Sequence, residues 1–208
     1  MTPPDDGRPA VFLDRDGVLS SPVWDPADGR PESPLNAADV TLVSGAAAGC
    51  RLLVDEGFAL AIVSNQPAAA KGKATPAELQ QIHERVLDLL AAEGVHIRMS
   101  RYCLHHPDAV IAALRERCDC RKPRPALLVD LAREENLDLT TSWMIGDADS
   151  DVAAGRAAGV RTVLVSHPLT PHRRPGSSRP DVTARDLLGA AAFIRAAPRV
   201  RFGRCSTL

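Results

Sequence analysis

Short apolar runs alternate with segments of helical spacing along most of the chain. The runs predict buried strands at 10–14, 58–63, 95–102, 142–145 and 161–165. The segments between and after them carry apolar residues at helical spacing and predict helices at 45–56, 76–92, 125–135, 152–158 and 184–197. This alternation predicts an α/β fold, a doubly wound parallel sheet with helices on both faces and right-handed crossovers.

One domain accounts for residues 10–197, because no linker and no insertion large enough for a second or cap domain interrupts the pattern. The polar, proline-rich start predicts a disordered lead at 1–9, and 198–208 is expected to be a loose tail. Residues 20–44 are rich in proline and predict a long loop with room for a short strand pair. Long loops of this kind are often functional.

Composition restricts the partners that the chain can have. A net charge of −1 and a pI near 6.6 give no electrostatic case for nucleic acid or an anionic membrane. No apolar run reaches membrane-spanning length, and the start does not resemble a signal peptide, so we expect a cytoplasmic protein. We expect a monomer or a small homo-oligomer that acts on a small-molecule sugar phosphate.

Polar side chains follow three of the predicted strands. They are Asp14 and Asp16, then Ser64 and Asn65, then Asp147, Asp149 and Asp151, with Lys122 opening a helix between the second and third groups. The carboxyl ends of parallel strands form the ligand-binding edge of such a sheet. Phosphoryl transfer needs this combination: a carboxylate nucleophile, a second acid, carboxylates holding a hard cation, and a hydroxyl and ammonium for the phosphate oxygens.

These residues resemble the haloacid dehalogenase (HAD) superfamily of phosphatases. Asp14-Arg15-Asp16-Gly17-Val18 matches the superfamily's DxDG motif, Ser64 its second motif, and Lys122 its third. Gly146-Asp147 together with Asp151 matches the fourth motif, GDxxxD. The match in order and spacing covers residues 10–165.

The resemblance implies a role for each matched residue. Asp14 would be the nucleophile that forms an aspartyl-phosphate, and Asp16 the general acid and then the base that activates water. Asp14, the backbone carbonyl of Asp16 and Asp147 would hold Mg²⁺. Asp151 would support the water shell of the metal, and Ser64 and Lys122 would complete the catalytic set.

A second cluster contains four potential zinc ligands. Cys103-Leu104-His105-His106 is followed after a gap by Cys118-Asp119-Cys120. Three thiolates and one imidazole suit a closed, tetrahedral, structural Zn²⁺ site, and spacing alone allows either histidine. Buried thiols or a redox pair are the alternatives. Zinc would pin the 103–123 loop and so position Arg121 and Lys122, whereas Cys50 and Cys205 are predicted to be ordinary thiols.

This loop narrows the resemblance to the heptose bisphosphate phosphatases and the related histidinol-phosphatase domains, whose zinc loop is typically shorter. In the heptose branch the first histidine is the ligand, which implies His105. The resemblance implies removal of the 7-phosphate from D-glycero-D-manno-heptose 1,7-bisphosphate. It also implies substrate contacts from Asn65, Gln66, Lys71 and Arg121.

Three segments depart from the pattern of that branch. Ala148 stands where lysine is common, Ser21-Pro22-Val23-Trp24 replaces a Gly-Tyr segment, and Pro67-Ala68-Ala69-Ala70 replaces a Ser-Gly start. These departures fall on loops that contact substrate. Two other functions therefore stay open: a histidinol-phosphate phosphatase, and a non-catalytic, zinc-stabilised module that binds a phosphorylated ligand.

Overall fold

A six-stranded parallel sheet forms the centre of the fold in the computed structural model, which describes residues 7–26 and 28–198. Its strands are β1 (Ala10–Leu13), β4 (Ala59–Asn65), β5 (Met99–Cys103), β6 (Trp143–Gly146), β7 (Arg161–Val165) and β8 (Val182–Ala184). They lie in the order β5-β4-β1-β6-β7-β8. Because the strand order reverses at β1, the edge beyond β1, β4 and β6 is a topological switch point, where such folds bind ligands.

Helices cover both faces of the sheet, which confirms the doubly wound prediction. They are α1 (Ala46–Asp55), α2 (Pro76–Ala92), α3 (Ala126–Glu134), α4 (Asp149–Ala158) and α5 (Leu187–Ala196). Val11 and Leu13 of β1 pack with α1, α2 and α5, whereas Phe12 packs on the opposite face with α3 and α4. Among the described residues, no helix combines the length and apolar character needed to cross a bilayer.

The proline-rich segment after β1 contains the short strand pair for which the prediction left room. β2 (Val23–Asp25) and β3 (Arg30–Glu32) form an antiparallel hairpin outside the main sheet. A single 3-10 turn at Ala37–Asp39 then leads to α1. The hairpin therefore stands between the first acidic motif and the first helix.

Three predicted boundaries differ from the structure by three residues or more. The last helix was predicted to begin at Ala184, but Val182–Ala184 pairs with β7 and adds a sixth strand that is too short to show a period. The helix begins only after Asp186, whose side chain caps it. The third strand begins at Met99, four residues later than predicted, because the apolar residues before it pack into the core without pairing. Helix α4 begins three residues earlier than predicted, at Asp149.

Residues 1–6 of the predicted disordered lead and residues 199–208 of the predicted tail lie outside the described residues. Arg8 forms a bridge to Leu137, and the carbonyl of Pro9 accepts a hydrogen bond from Ala59. Residues 8 and 9 are therefore part of the fold.

The close packing of α4 on the sheet gives a stability prediction at Gly155. A Cβ atom at this position would lie 2.7 Å from Cγ2 of Thr162 and 2.8 Å from Cβ of Met144. We expect Gly155→Ala to lower the free energy of unfolding by about 1–3 kcal/mol, because this overpacking outweighs the gain in helix propensity. Denaturant unfolding measures the change.

Gly189→Ala in α5 is the matched control. Its Cβ would lie no closer than 3.4 Å to any neighbour, an ordinary contact. We expect it to leave the free energy of unfolding unchanged or to raise it by up to about 1 kcal/mol. Equal stabilisation by both substitutions would contradict the packing of α4 described here.

Candidate active site and metal centres

The predicted polar groups meet at the carboxyl edge of the sheet. Residues that follow β1, end β4 and follow β6 line one cleft of about 390 Å³. Among the predicted site residues, the cleft brings together Asp14, Asp16, Ser64, Asn65, Lys71, Arg121, Lys122 and Asp147. The hairpin strand β3, the start of α4 and the loop after β7 also line the cleft.

Asp14 is held by two of the predicted catalytic groups. Its Oδ1 atom accepts hydrogen bonds from Oγ of Ser64 at 2.6 Å and from Nζ of Lys122 at 2.9 Å. Lys122 is only 3% exposed and also pairs with Asp151 at 2.5 Å. Burial alone would lower the pKa of Lys122, but the charges of Asp14 and Asp151 outweigh burial and raise the pKa. The ammonium group therefore stays charged beside the carboxylate.

Asn65 clamps the backbone of Lys122. Its Nδ2 atom donates to the carbonyl of Lys122 at 2.9 Å, and its Oδ1 atom accepts from the backbone N–H of Lys122 at 3.0 Å. The sequence predicted that Asn65 contacts substrate. Although Asn65 borders the cleft, these contacts give it a positioning role, because they tie the end of β4 to the residue that reaches Asp14.

Asp16 is fixed by a buried arginine within the same motif. Nε and Nη2 of Arg15 donate to the two carboxylate oxygens of Asp16, each at 2.9 Å. Burial alone would raise the pKa of Asp16, but the charge and hydrogen bonds of Arg15 outweigh burial, so the pKa is lowered. In this conformation Asp16 is therefore a carboxylate, the form that acts as a base.

Gln66 lies behind the cleft and does not line it. It is 2% exposed, and its amide donates to Asp16 at 2.8 Å while accepting from Arg15 at 2.7 Å. That Gln66 contacts substrate stays a prediction, and in this structure its amide is bonded to Arg15 and Asp16. Its amide is used to orient the two motif residues, which the sequence pattern alone did not indicate.

The oxygen atoms around Asp147 fit a hard divalent cation. Carboxylate oxygens of Asp14, Asp147 and Asp151 lie within 4.8 Å of one another. Oδ1 of Asp147 is buried and has no hydrogen-bond partner among the described residues, and burial raises the pKa of this carboxyl to about 7. A Cβ atom on Gly17 would lie 2.1 Å from Oδ2 of Asp147, so the motif glycine leaves room for this carboxylate.

Asp151 is occupied by protein contacts. One of its carboxylate oxygens pairs with Lys122, and the other accepts from the backbone N–H of Ala148 at 3.0 Å. The better set of oxygen ligands for Mg²⁺ is therefore the carboxylates of Asp14 and Asp147 with the backbone carbonyl of Asp16, and not the three carboxylates together. Asp151 instead orients Lys122 and the start of α4.

The predicted zinc ligands converge in the loop after β5. Sγ of Cys118 lies 3.5 Å from Sγ of Cys103 and 3.1 Å from Sγ of Cys120. Nδ1 of His105 lies 3.9 Å from Sγ of Cys103 and 3.4 Å from Sγ of Cys120. Ligand atoms about 2.1–2.3 Å from a tetrahedral Zn²⁺ are separated by about 3.5–3.8 Å, so these four atoms fit that ion.

The two histidines that spacing alone did not separate have different environments. Nε2 of His105 lies 3.5 Å from the carboxylate of Glu116, which favours a proton on Nε2 and leaves Nδ1 free to bind metal. Nδ1 of His106 instead accepts from the backbone N–H of Asp108 at 3.1 Å. His105 is therefore the member of the cluster, and Arg121 donates to its carbonyl at 3.2 Å.

The loop after β7 supplies site residues that the sequence analysis missed. Arg173 from this loop lines the cleft and contacts Asp16 and Asp147. Asp149, part of the predicted acidic cluster, accepts hydrogen bonds from Ser177 and Ser178 and so anchors the loop. The sequence signal for this loop was a pair of adjacent arginines, Arg173 and Arg174, in a proline-rich segment. The position of the loop beside the end of β1 depends on the tertiary fold.

Fold and site together define a HAD-like phosphohydrolase, and comparison with known proteins agrees. Residues 119–190 match the HAD-hydrolase-like family model. A solved structure of D,D-heptose 1,7-bisphosphate phosphatase from B. bronchiseptica, complexed with magnesium and phosphate, aligns with a TM-score of 0.76 at 25% identity. The alignment covers 91% of this chain and 99% of that chain.

Curated relatives narrow the family. The D-glycero-beta-D-manno-heptose-1,7-bisphosphate 7-phosphatase of Rhodopseudomonas palustris is 37% identical over 153 residues, which are 74% of this chain and 81% of the relative. The enzyme of the same name from Yersinia pestis is 32% identical over 188 residues, which are 90% and 96% of the two chains. The chain belongs to this family of heptose bisphosphate phosphatases within the HAD superfamily.

The clamp on Lys122 generates a prediction for Asn65→Ala. Losing both amide contacts frees the backbone that positions the lysine ammonium. We expect kcat to fall on the order of 10- to 100-fold with little change in KM, because misplacement affects catalysis more than binding. Both kcat and KM are measured from the rate of phosphate release, with any phosphomonoester that the wild type hydrolyses.

Asn36→Ala is the control for Asn65→Ala, because Asn36 is exposed and its side chain only caps a short turn at Ala38. It should leave kcat unchanged. A rise in KM at constant kcat in Asn65→Ala would instead support the substrate contact that the sequence predicted.

Proposed function

We propose that this chain is a Mg²⁺-dependent phosphatase that removes the 7-phosphate from D-glycero-D-manno-heptose 1,7-bisphosphate. The observation that carries the proposal is the contact of Asp14 with both Ser64 and Lys122 inside the cleft. The names of the curated relatives support the choice of substrate. Lys71 and Arg121 border the same cleft and are proposed to bind the sugar phosphate or its second phosphate.

The proposed mechanism divides the chemistry among the residues of the cleft. The Asp14 carboxylate attacks phosphorus. Asp16, a carboxylate in the free protein, takes up a proton when the substrate phosphate binds and gives that proton to the leaving sugar oxygen as the bond to phosphorus breaks. Ser64 and Lys122 donate to phosphate oxygens as negative charge develops. Asp16, then a carboxylate held by Arg15, removes a proton from the water that hydrolyses the aspartyl-phosphate. Mg²⁺, bound by Asp14, Asp147 and the carbonyl of Asp16, would neutralise charge on the phosphate.

We also propose that Zn²⁺ has a structural role in the loop of Cys103, His105, Cys118 and Cys120. Four protein ligands leave no open coordination position, so the ion does not take part in the reaction. Lys122 lies two residues after Cys120, and its Nζ atom donates a hydrogen bond to Asp14. Zinc would therefore support catalysis by fixing the segment that carries Arg121 and Lys122.

The proposed enzyme works in the cytoplasm, without a cap domain, as a monomer or small homo-oligomer with no nucleic-acid or membrane partner. Two residues at the hairpin, Glu32 and Ser33, line the cleft together with His172 and Arg173 of the loop after β7. We propose that these loops take the place of a cap over the substrate.

A phosphate-release assay over a substrate panel tests the activity. With Mg²⁺ present, we expect the highest kcat/KM for heptose 1,7-bisphosphate, with heptose 1-phosphate as product, above histidinol phosphate and an aryl phosphate. Asp14→Asn should abolish turnover of all three at nearly constant stability, because it removes the nucleophile but little volume. A preference for histidinol phosphate would refute the heptose substrate, and no release from any compound would favour a non-catalytic phospho-ligand module.

Cys118→Ser tests the zinc site. We expect the metal content to fall from one zinc per chain, with a lower Tm and lower activity, because zinc binding stabilises the folded loop. Elemental analysis and thermal unfolding measure these changes. Cys50→Ala is the control: this buried thiol lies in α1 outside the cluster, so the substitution should retain zinc even where it lowers Tm. Full zinc content in Cys118→Ser would contradict the ligand set.

A further inference from the structure

Arg173 lies where the proposed Mg²⁺ ligands converge. Its Nη1 atom donates to the backbone carbonyl of Asp16 at 3.1 Å and lies 3.5 Å from Oδ2 of Asp147. Both residues belong to the oxygen set proposed above for the metal. A guanidinium group and Mg²⁺ cannot both take these oxygens as close ligands, because Mg²⁺ requires contacts of about 2.1 Å.

The position of Arg173 is built into the loop after β7. Its neighbour Arg174 donates to the carbonyl of Asp147 at 3.3 Å and to that of His167 at 3.0 Å. Farther along the loop, the carboxylate of Asp149 accepts from the backbone N–H of Ser177 at 2.8 Å. These contacts hold the loop on both sides of Arg173, so its side chain, 16% exposed, is directed toward the cleft.

Charge balance explains why a cation belongs at this point. Asp14 and Asp151 share Lys122, whereas the cation paired with Asp147, among the described residues, is Arg173. A buried carboxylate without a counter-ion is costly. The guanidinium of Arg173, 3.5 Å from Oδ2 of Asp147, supplies that counter-ion.

We propose that Arg173 is an internal counter-cation that holds the metal position in the metal-free protein, and that Mg²⁺ displaces it. Glu32 of β3 also lines the cleft, and its carboxylate, 3.7 Å from Nη2 of Arg173, offers the guanidinium a partner after displacement. Arg173 thereby sets the metal affinity through competition. The inference rests on the proposed function only in requiring that Mg²⁺ binds Asp14, Asp147 and the carbonyl of Asp16.

Calorimetric titration of the metal-stripped protein with Mg²⁺ tests the competition. We expect Arg173→Ala to bind Mg²⁺ about tenfold more tightly than the wild type, which corresponds to Arg173 covering the site in roughly nine molecules of ten. Arg133→Ala is the control for net charge, since Arg133 is 74% exposed on α3 and pairs with Asp130. It should leave the affinity unchanged.

Hydrogen exchange of the wild type separates displacement from a simple charge effect. The backbone N–H groups of Arg173 and Arg174 bond within the loop, to Thr170 and Pro171. We expect Mg²⁺ to accelerate exchange of these two amides several-fold, because the loop loses its side-chain anchor on Asp16 and Asp147. This measurement does not depend on whether the variant folds.

The outcomes distinguish this inference from the proposed function. Three results would overturn the role of Arg173 alone. The first is that Arg173→Ala binds Mg²⁺ no more tightly than the wild type, and the second is that Arg133→Ala gains as much Mg²⁺ affinity as Arg173→Ala. The third is that Mg²⁺ leaves exchange of the Arg173 and Arg174 amides unchanged or slows it. A wild-type protein that binds no Mg²⁺ would overturn the proposed metal dependence together with it.

Discussion

The need to neutralise three buried carboxylates at one edge of the sheet organises the rest of this structure. Asp14, Asp147 and Asp151 come from two neighbouring strand ends, and their oxygens lie within 4.8 Å of one another. Such a cluster is stable only when cations are brought to it. Lys122 and Arg173 meet this need, and each arrives on a long loop from outside the strands.

Both of those loops are tethered near the site. Asn65 clamps the backbone at Lys122, and the cysteine cluster stands just before it. The other loop is tied by Asp149 and by Arg174. These hydrogen bonds, together with the proposed zinc ion, fix the two loops and so hold the charges of Lys122 and Arg173 beside the carboxylates.

Predictions from the sequence were most successful where a residue's role depends on its immediate neighbours. The strand ends beside Asp14, Ser64 and Asp147 were predicted to within two residues because buried runs and flanking turns are local signals. The strand β8 was missed because three residues are too few to show a period. Resemblance assigned Gln66 to the substrate, but the sequence does not reveal that its side chain bonds to Arg15 and Asp16.

The sequence by itself determined the parallel α/β architecture, the residues that match the phosphatase motifs, and the three cysteines of the proposed zinc site. Strand ends and short motifs are local in sequence, so spacing along the chain is enough to find them, but spacing did not separate His105 from His106. Only the tertiary structure decided that Arg15 and Gln66 fix Asp16, that Asn65 positions Lys122 and that Arg173 lies over Asp147. Those contacts join residues from separate loops and strands. They form because a charged or polar side chain that the fold buries is costly unless it is paired.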